Sequence, residues 1–132
     1  MPKYYVIPVK GTIAYFGVKQ YTSPYRHELA YCGGCPLLFG GTAEYGGMFN
    51  TLFRETLEES HGKIYLAGND EYQRIHQSGN MSFYLCHTFT YRPWNQIPVF
   101  LRCREAKYRE TTGDVFTVEM TQIGRASCRE RV

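Results

Sequence analysis

The chain has 132 residues, of which 43% are hydrophobic and 20% charged, and its formal net charge is +3. That length supports one hydrophobic core and excludes two domains, while the balance is that of an ordinary soluble globular chain. No apolar run approaches the roughly 20 residues of a membrane span. Residues 1–8 also lack the apolar core of a secretory leader, so a cytoplasmic protein with no membrane partner is expected. The twelve Tyr and eight Phe supply flat surfaces that suit strands first and base stacking second.

Residues 4–9 and 12–18 are rich in β-branched and aromatic side chains and are separated by Lys10-Gly11, which predicts two strands joined as a hairpin. Residues 20–26 are polar with a proline and read as a loop, and residues 27–31 as a short strand. Cys32-Gly33-Gly34-Cys35 follows, a spacing used by zinc half-sites and redox dithiols. A four-cysteine zinc site needs a second close pair. Cys86 and Cys103 instead stand far apart, each in a predicted strand. A redox site wants its first cysteine at a helix start, and here Pro36 and an apolar run follow. Small cysteines in a turn are the simpler reading.

Residues 37–64 carry the densest information. Leu37-Leu38-Phe39 reads as a buried strand end. Gly40-Gly41 and Gly46-Gly47 read as a loop in which the backbone turns sharply. From Met48 the spacing becomes helical, with Phe49, Leu52, Phe53 and Leu57 on one side. Glu55, Glu58 and Glu59 then fall within an arc of roughly 100° beside that apolar face. Three carboxylates so close repel one another unless a cation lies between them. Gly62 offers a left-handed exit from the helix. The plain alternative is a solvated helix face with an Arg54–Glu58 ion pair worth a few tenths of a kcal/mol.

Beyond the helix, residues 63–66 read as a short strand and residues 67–80 as a polar loop. Residues 81–91 alternate as one long strand in which Phe83, Leu85, His87, Phe89 and Tyr91 share a face; His87 reads there as a hydrogen-bonded strand residue. Residues 92–96 form a turn, and Ile97, Val99, Leu101 and Cys103 alternate as another strand. Residues 104–113 read as a charged loop. Phe116, Val118 and Met120 make one side of a last strand.

The segment from Gly40 to Gly62 resembles the Nudix box, the signature of hydrolases that cleave nucleoside diphosphates linked to another moiety. Arg54-Glu55-Thr56-Leu57-Glu58-Glu59 matches the core of that pattern, with Thr56 at a position that is apolar in the family. Gly40 is in register as its first glycine. Gly46 stands where the pattern has an upstream Glu, and His61 stands where it has the closing glycine. The resemblance implies an α/β layered domain, a mixed β-sheet with a central acidic helix and a second helix near the C-terminus. It implies Glu55, Glu58 and Glu59 as ligands of Mg²⁺ or Mn²⁺, with Glu58 and Glu59 at the catalytic centre and Arg54 holding one carboxylate in place. Gly40 and Gly41 would let the backbone turn to seat the helix. Glu110, with Glu105 behind it, is the candidate base on a distant loop. The implied substrate is a nucleotide-type small molecule, and capped RNA is the one nucleic acid it admits.

Residues 123–132, with Arg125, Arg129, Arg131 and Glu130, resemble one reading frame of a sequencing adapter. On that reading the domain comprises residues 1–122, truncated before its C-terminal helix, and residues 123–132 are a non-native tail. Without the tail the formal charge falls from +3 to +1, since three Arg and one Glu leave with it. No basic excess for nucleic acid then remains. Two further readings compete with the Mg²⁺-dependent pyrophosphohydrolase: a catalytically inactive Nudix-like nucleotide-binding module, and a CxxC zinc or redox protein. The sequence leaves the particular nucleotide and the oligomeric state open. Replacing Cys32 and Cys35 together by Ser should leave thermal stability within about 0.5 kcal/mol, the range of surface changes away from special features. Stoichiometric zinc in protein purified without chelator would reverse that expectation.

Overall fold

The computed structural model describes residues 1–19, 34–43, 46–67, 72–97 and 111–120. Strand β1 (Lys3–Lys10) is the seam of the sheet. It turns into β2 (Ile13–Lys19) through a two-residue loop, with Lys10 facing Ile13 and Val9 facing Ala14. Gly11 takes φ 62° there, which only glycine adopts without cost and which matches the right-handed twist of the strands. Residues 36–37 form β3 (Pro36–Leu37), against the far end of β2.

The first half of β1 has different neighbours. On one side it pairs antiparallel with β4 (Phe39–Thr42), Val6 facing Phe39; on the other it pairs parallel with β7 (Met81–Cys86), Tyr5 facing Phe83. Pro8, which has no N–H, falls between the stretch taken by β4 and the stretch taken by β2. Outside β7 lies β6 (Tyr72–Ser78), and outside β2 lies β9 (Thr111–Glu119). The order is β3-β2-β1-β7-β6, with β4 beside β1 and β9 beside β2. A separate pair joins β5 (Ile64–Leu66) to β8 (Phe89–Tyr91). The described residues include the α-helix α1 (Met48–Glu59) and a 3₁₀ turn, Trp94–Gln96. The fold is therefore a mixed α/β domain rich in strands. No helix among the described residues is long and apolar enough to cross a membrane.

Helix α1 buries Thr51, Leu52, Thr56 and Leu57. Leu52 joins Val6, Phe39, Ile64, Leu66, Cys86 and Phe89 in the main core, and Leu57 meets Ile97 in a smaller cluster bridged by Phe53. Each such Leu contributes about 1.5–3 kcal/mol by leaving water. Phe49 and Phe53 are half-buried, touching each other at 5.9 Å between ring centroids and packing edge-on to Tyr72 and Tyr65. Burial and the neighbouring Cys86 thiol push the Tyr72 phenol well above its ordinary range, so it stays protonated at neutral pH.

Several expectations give way. Gly40 and Gly41 are not loop residues: both belong to β4 and pair with β1. Within the predicted loop of residues 67–80, β6 forms a hairpin with β7 around Gly79-Asn80. Gln73 to Ser78 are exposed on both faces, so no alternation marks this edge strand. The predicted strand of residues 81–91 is two strands. It breaks at His87-Thr88, where the Cys86 thiol donates to the Thr88 carbonyl at 3.3 Å. Cys86 and Phe89, three positions apart, thereby both face the core, which an unbroken period of two forbids. His87 is exposed and outside any strand. Thr111, Thr112 and Gly113 open β9 instead of closing a loop, and Phe116 is exposed while Val115 packs on the core. The expectations for residues 20–33, 98–110 and 121–132, among them the reading of residues 123–132 as a non-native tail, lie outside the described residues.

Thr56, fully buried, has a hydroxyl oxygen with no hydrogen-bond partner among the described residues. Thr56→Val keeps the shape and removes that unmet polar group, so it should raise stability by about 1 kcal/mol. Urea unfolding would show this as a higher midpoint at constant slope.

Candidate metal and catalytic site

The site is assembled where β4 meets α1. Gly40 has φ 146°, and a Cβ there would lie 2.1 Å from the Tyr4 carbonyl oxygen and 2.7 Å from Tyr5 Cα. Only a glycine lets β4 approach β1 this closely. The neighbouring Gly41 leaves room for a carboxylate, since a Cβ would stand 3.1 Å from Glu55 Cδ. The Gly40 N–H donates to Glu59 Oε1 at 2.8 Å, which joins the two ends of the motif across 19 positions. Both lie on the border between the sheet and the helix, where Glu59 is half-buried.

Arg54 Nη1 approaches Glu55 Oε1 at 3.3 Å, so Arg54 holds the Glu55 carboxylate. Side chains 37% and 21% exposed make this a screened contact worth at most about 1 kcal/mol. Glu58 is half-buried beside them. Upstream, Gly47 caps the helix in extended conformation with no side-chain bond, and the first turn carries no acid. Gly46, at the position of the pattern's Glu, has φ 76°.

The helix ends in a Schellman motif. The Gly62 N–H donates to the Leu57 carbonyl at 2.8 Å and the His61 N–H to that of Glu58 at 3.1 Å. The residue between helix and Gly62 takes the left-handed conformation, and here it is His61, with φ 53°. A side chain in that conformation costs about 1–2 kcal/mol. His61 packs against Gly113 of β9, where a Cβ would fall 2.1 Å from its Nδ1. Lys63 Nζ donates to the Gly113 carbonyl at 2.5 Å, and Thr111 Oγ1 to the Glu59 carbonyl at 2.7 Å. None of these β9 partners is foreseeable from the sequence, because they meet the helix end from about 50 positions away.

Glu105, Glu110 and Cys32 lie outside the described residues; Cys35 is half-buried just before β3. Among the described residues, no three His, Cys, Asp or Glu side chains converge as a metal-ligand group. The donors nevertheless suit a hard cation in kind. Mg²⁺ takes oxygen ligands, keeps several waters and is held by one or two carboxylates together with substrate phosphates, so it needs no closed protein cage. Glu55, Glu58 and Glu59 are half-buried carboxylates of that type. No protein-family model matches the sequence, and no curated protein matches it significantly.

Gly40→Ala should destabilise by about 3 kcal/mol or more, because the clash is with backbone atoms of β1 that cannot rotate away. Gly41→Ala meets a movable carboxylate and should cost about 1 kcal/mol. Parallel thermal melts of the two variants measure the difference.

Proposed function

We propose that the chain is a Nudix-like, cytoplasmic, Mg²⁺- or Mn²⁺-dependent hydrolase that cleaves the pyrophosphate linkage of a nucleoside diphosphate derivative. The observation that carries the reading is the Gly40–Glu59 hydrogen bond: the first glycine and the last acid of the resembled motif meet in space. In this reading the sheet and α1 are two layers of the Nudix-like arrangement. A bound divalent cation would offset phosphate charge and lower the pKa of an attacking water.

The chain's own residues have separate tasks. Gly40 fixes one oxygen of Glu59. Arg54 restrains Glu55 through their ion pair. Glu58 and Glu59 are the metal-facing pair, Glu55 lies one helical turn behind, and Glu110 is the proposed base. Gly40 and Gly41 act by their missing side chains.

The second reading, a nucleotide-binding module without catalysis, is favoured by two departures: Gly46 replaces the upstream acid of the pattern, and its closing glycine is displaced by one residue to Gly62. Phosphate release with Mg²⁺ from nucleoside triphosphates, nucleotide sugars, ADP-ribose and capped RNA, coupled to a pyrophosphatase or phosphatase, separates the two. The hydrolase should turn over at least one of these. Glu58→Gln/Glu59→Gln should lower that rate by about 100-fold or more, the scale of a lost charged catalytic group, and should abolish Mg²⁺ binding in a calorimetric titration. Nucleotide binding without Mg²⁺-dependent turnover would establish the module instead.

A further inference from the structure

The last carbonyls of a helix need partners that the helix cannot itself provide. In α1 the carbonyls of Thr56, Leu57 and Glu58 are met by the N–H groups of Ser60, Gly62 and His61 in the turn that follows. The fourth, that of Glu59, is met from another strand by the Thr111 hydroxyl. Thr111 is 2% exposed and opens β9. Glu59 is thus held at both ends, its carbonyl by β9 and its carboxylate by Gly40 of β4.

We propose that Thr111 is a positioning residue for Glu59: its hydroxyl sets the height of the helix end against the sheet, and so the place where the Glu59 carboxylate meets the Gly40 N–H. A main-chain shift at Glu59 is carried out along the side chain to its oxygens, and the 2.8 Å bond to Gly40 tolerates only a few tenths of an ångström before it weakens. The turn has an independent anchor, because Ser60 Oγ accepts the Ile64 N–H at 3.0 Å. Loss of the Thr111 hydroxyl therefore acts on Glu59 without releasing the whole turn. The metal-binding consequence rests on the proposed hydrolase reading; the positioning itself does not.

The test compares wild type, Thr111→Val, which keeps shape without the donor, and Thr111→Ser, which keeps the donor. Amide hydrogen exchange of Gly40 reads the Glu59 bond, with Tyr84 and Leu85 of β7 as reference for overall stability. Thr111→Val should speed Gly40 exchange about tenfold relative to those references and weaken Mg²⁺ binding about tenfold by calorimetry, while Thr111→Ser stays near wild type in both. Unchanged Gly40 exchange in folded Thr111→Val overturns the proposal, as does an exchange change that Thr111→Ser shares in full. If Thr111→Val does not fold, the wild-type hydroxyl proton decides: a slowly exchanging Thr111 resonance with Overhauser contact to Glu59 and Ser60 upholds the bond, and its absence overturns it. Faster Gly40 exchange in a protein whose wild type takes up no Mg²⁺ upholds the positioning and removes the metal reading alone.

Discussion

The close approach of β4 to β1 is the constraint on which the rest of the candidate site depends. At residue 40 the two backbones are so near that any side chain would occupy the space of the Tyr4 carbonyl. The Gly40 N–H is directed toward the helix, where Glu59 accepts it. A hydrogen bond to a charged acceptor is worth about 1.5–3 kcal/mol. Here it also has a geometric effect: it joins the strand to the far end of a twelve-residue helix, so α1 cannot slide along the sheet without breaking it.

Strand β1 gives this arrangement its frame. Its first half lies between β4 and β7, and its second half turns into the β2 hairpin. Val6 and Val9 are both buried, so the same strand feeds the core under α1 and the face beneath β2. The apolar side of α1 settles onto that core through Leu52. The acids flank it because helical geometry puts positions 55, 58 and 59 beside positions 52 and 57. Packing and the candidate site thus use adjacent stripes of one helix, and displacing either displaces the other.

The end of α1 shows how a departure from the resembled motif is accommodated. His61 adopts a conformation suited to glycine, and Gly113 of β9 provides the space for its ring. Strain at the turn is opposed by attachments to β9 through Thr111 and Gly113. For the proposed hydrolase, this makes β9 part of the apparatus that orients Glu59.

What the sequence determined by itself is local. The hairpin of β1 and β2 follows from two β-rich runs around a glycine, and α1 follows from the period of Leu52, Phe53 and Leu57. Gly62 does take a left-handed conformation, as its lack of a Cβ allows, but the helix already turns left-handed one residue earlier, at His61. These depend on neighbours within a few residues, which is the range over which side-chain type and backbone preference act. Tertiary structure decided the remainder. Gly40-Gly41 reads as a loop until β1 is placed beside it, and β6 has no apolar face to announce it because it lies at an edge. The run through residue 91 divides at His87-Thr88 because two sheets share one core. Glu59 is shared between Gly40 and Thr111, because those partners come from strands 19 and 52 positions away. Pairings at such separations are set by how the layers pack, and no local pattern in the chain encodes them.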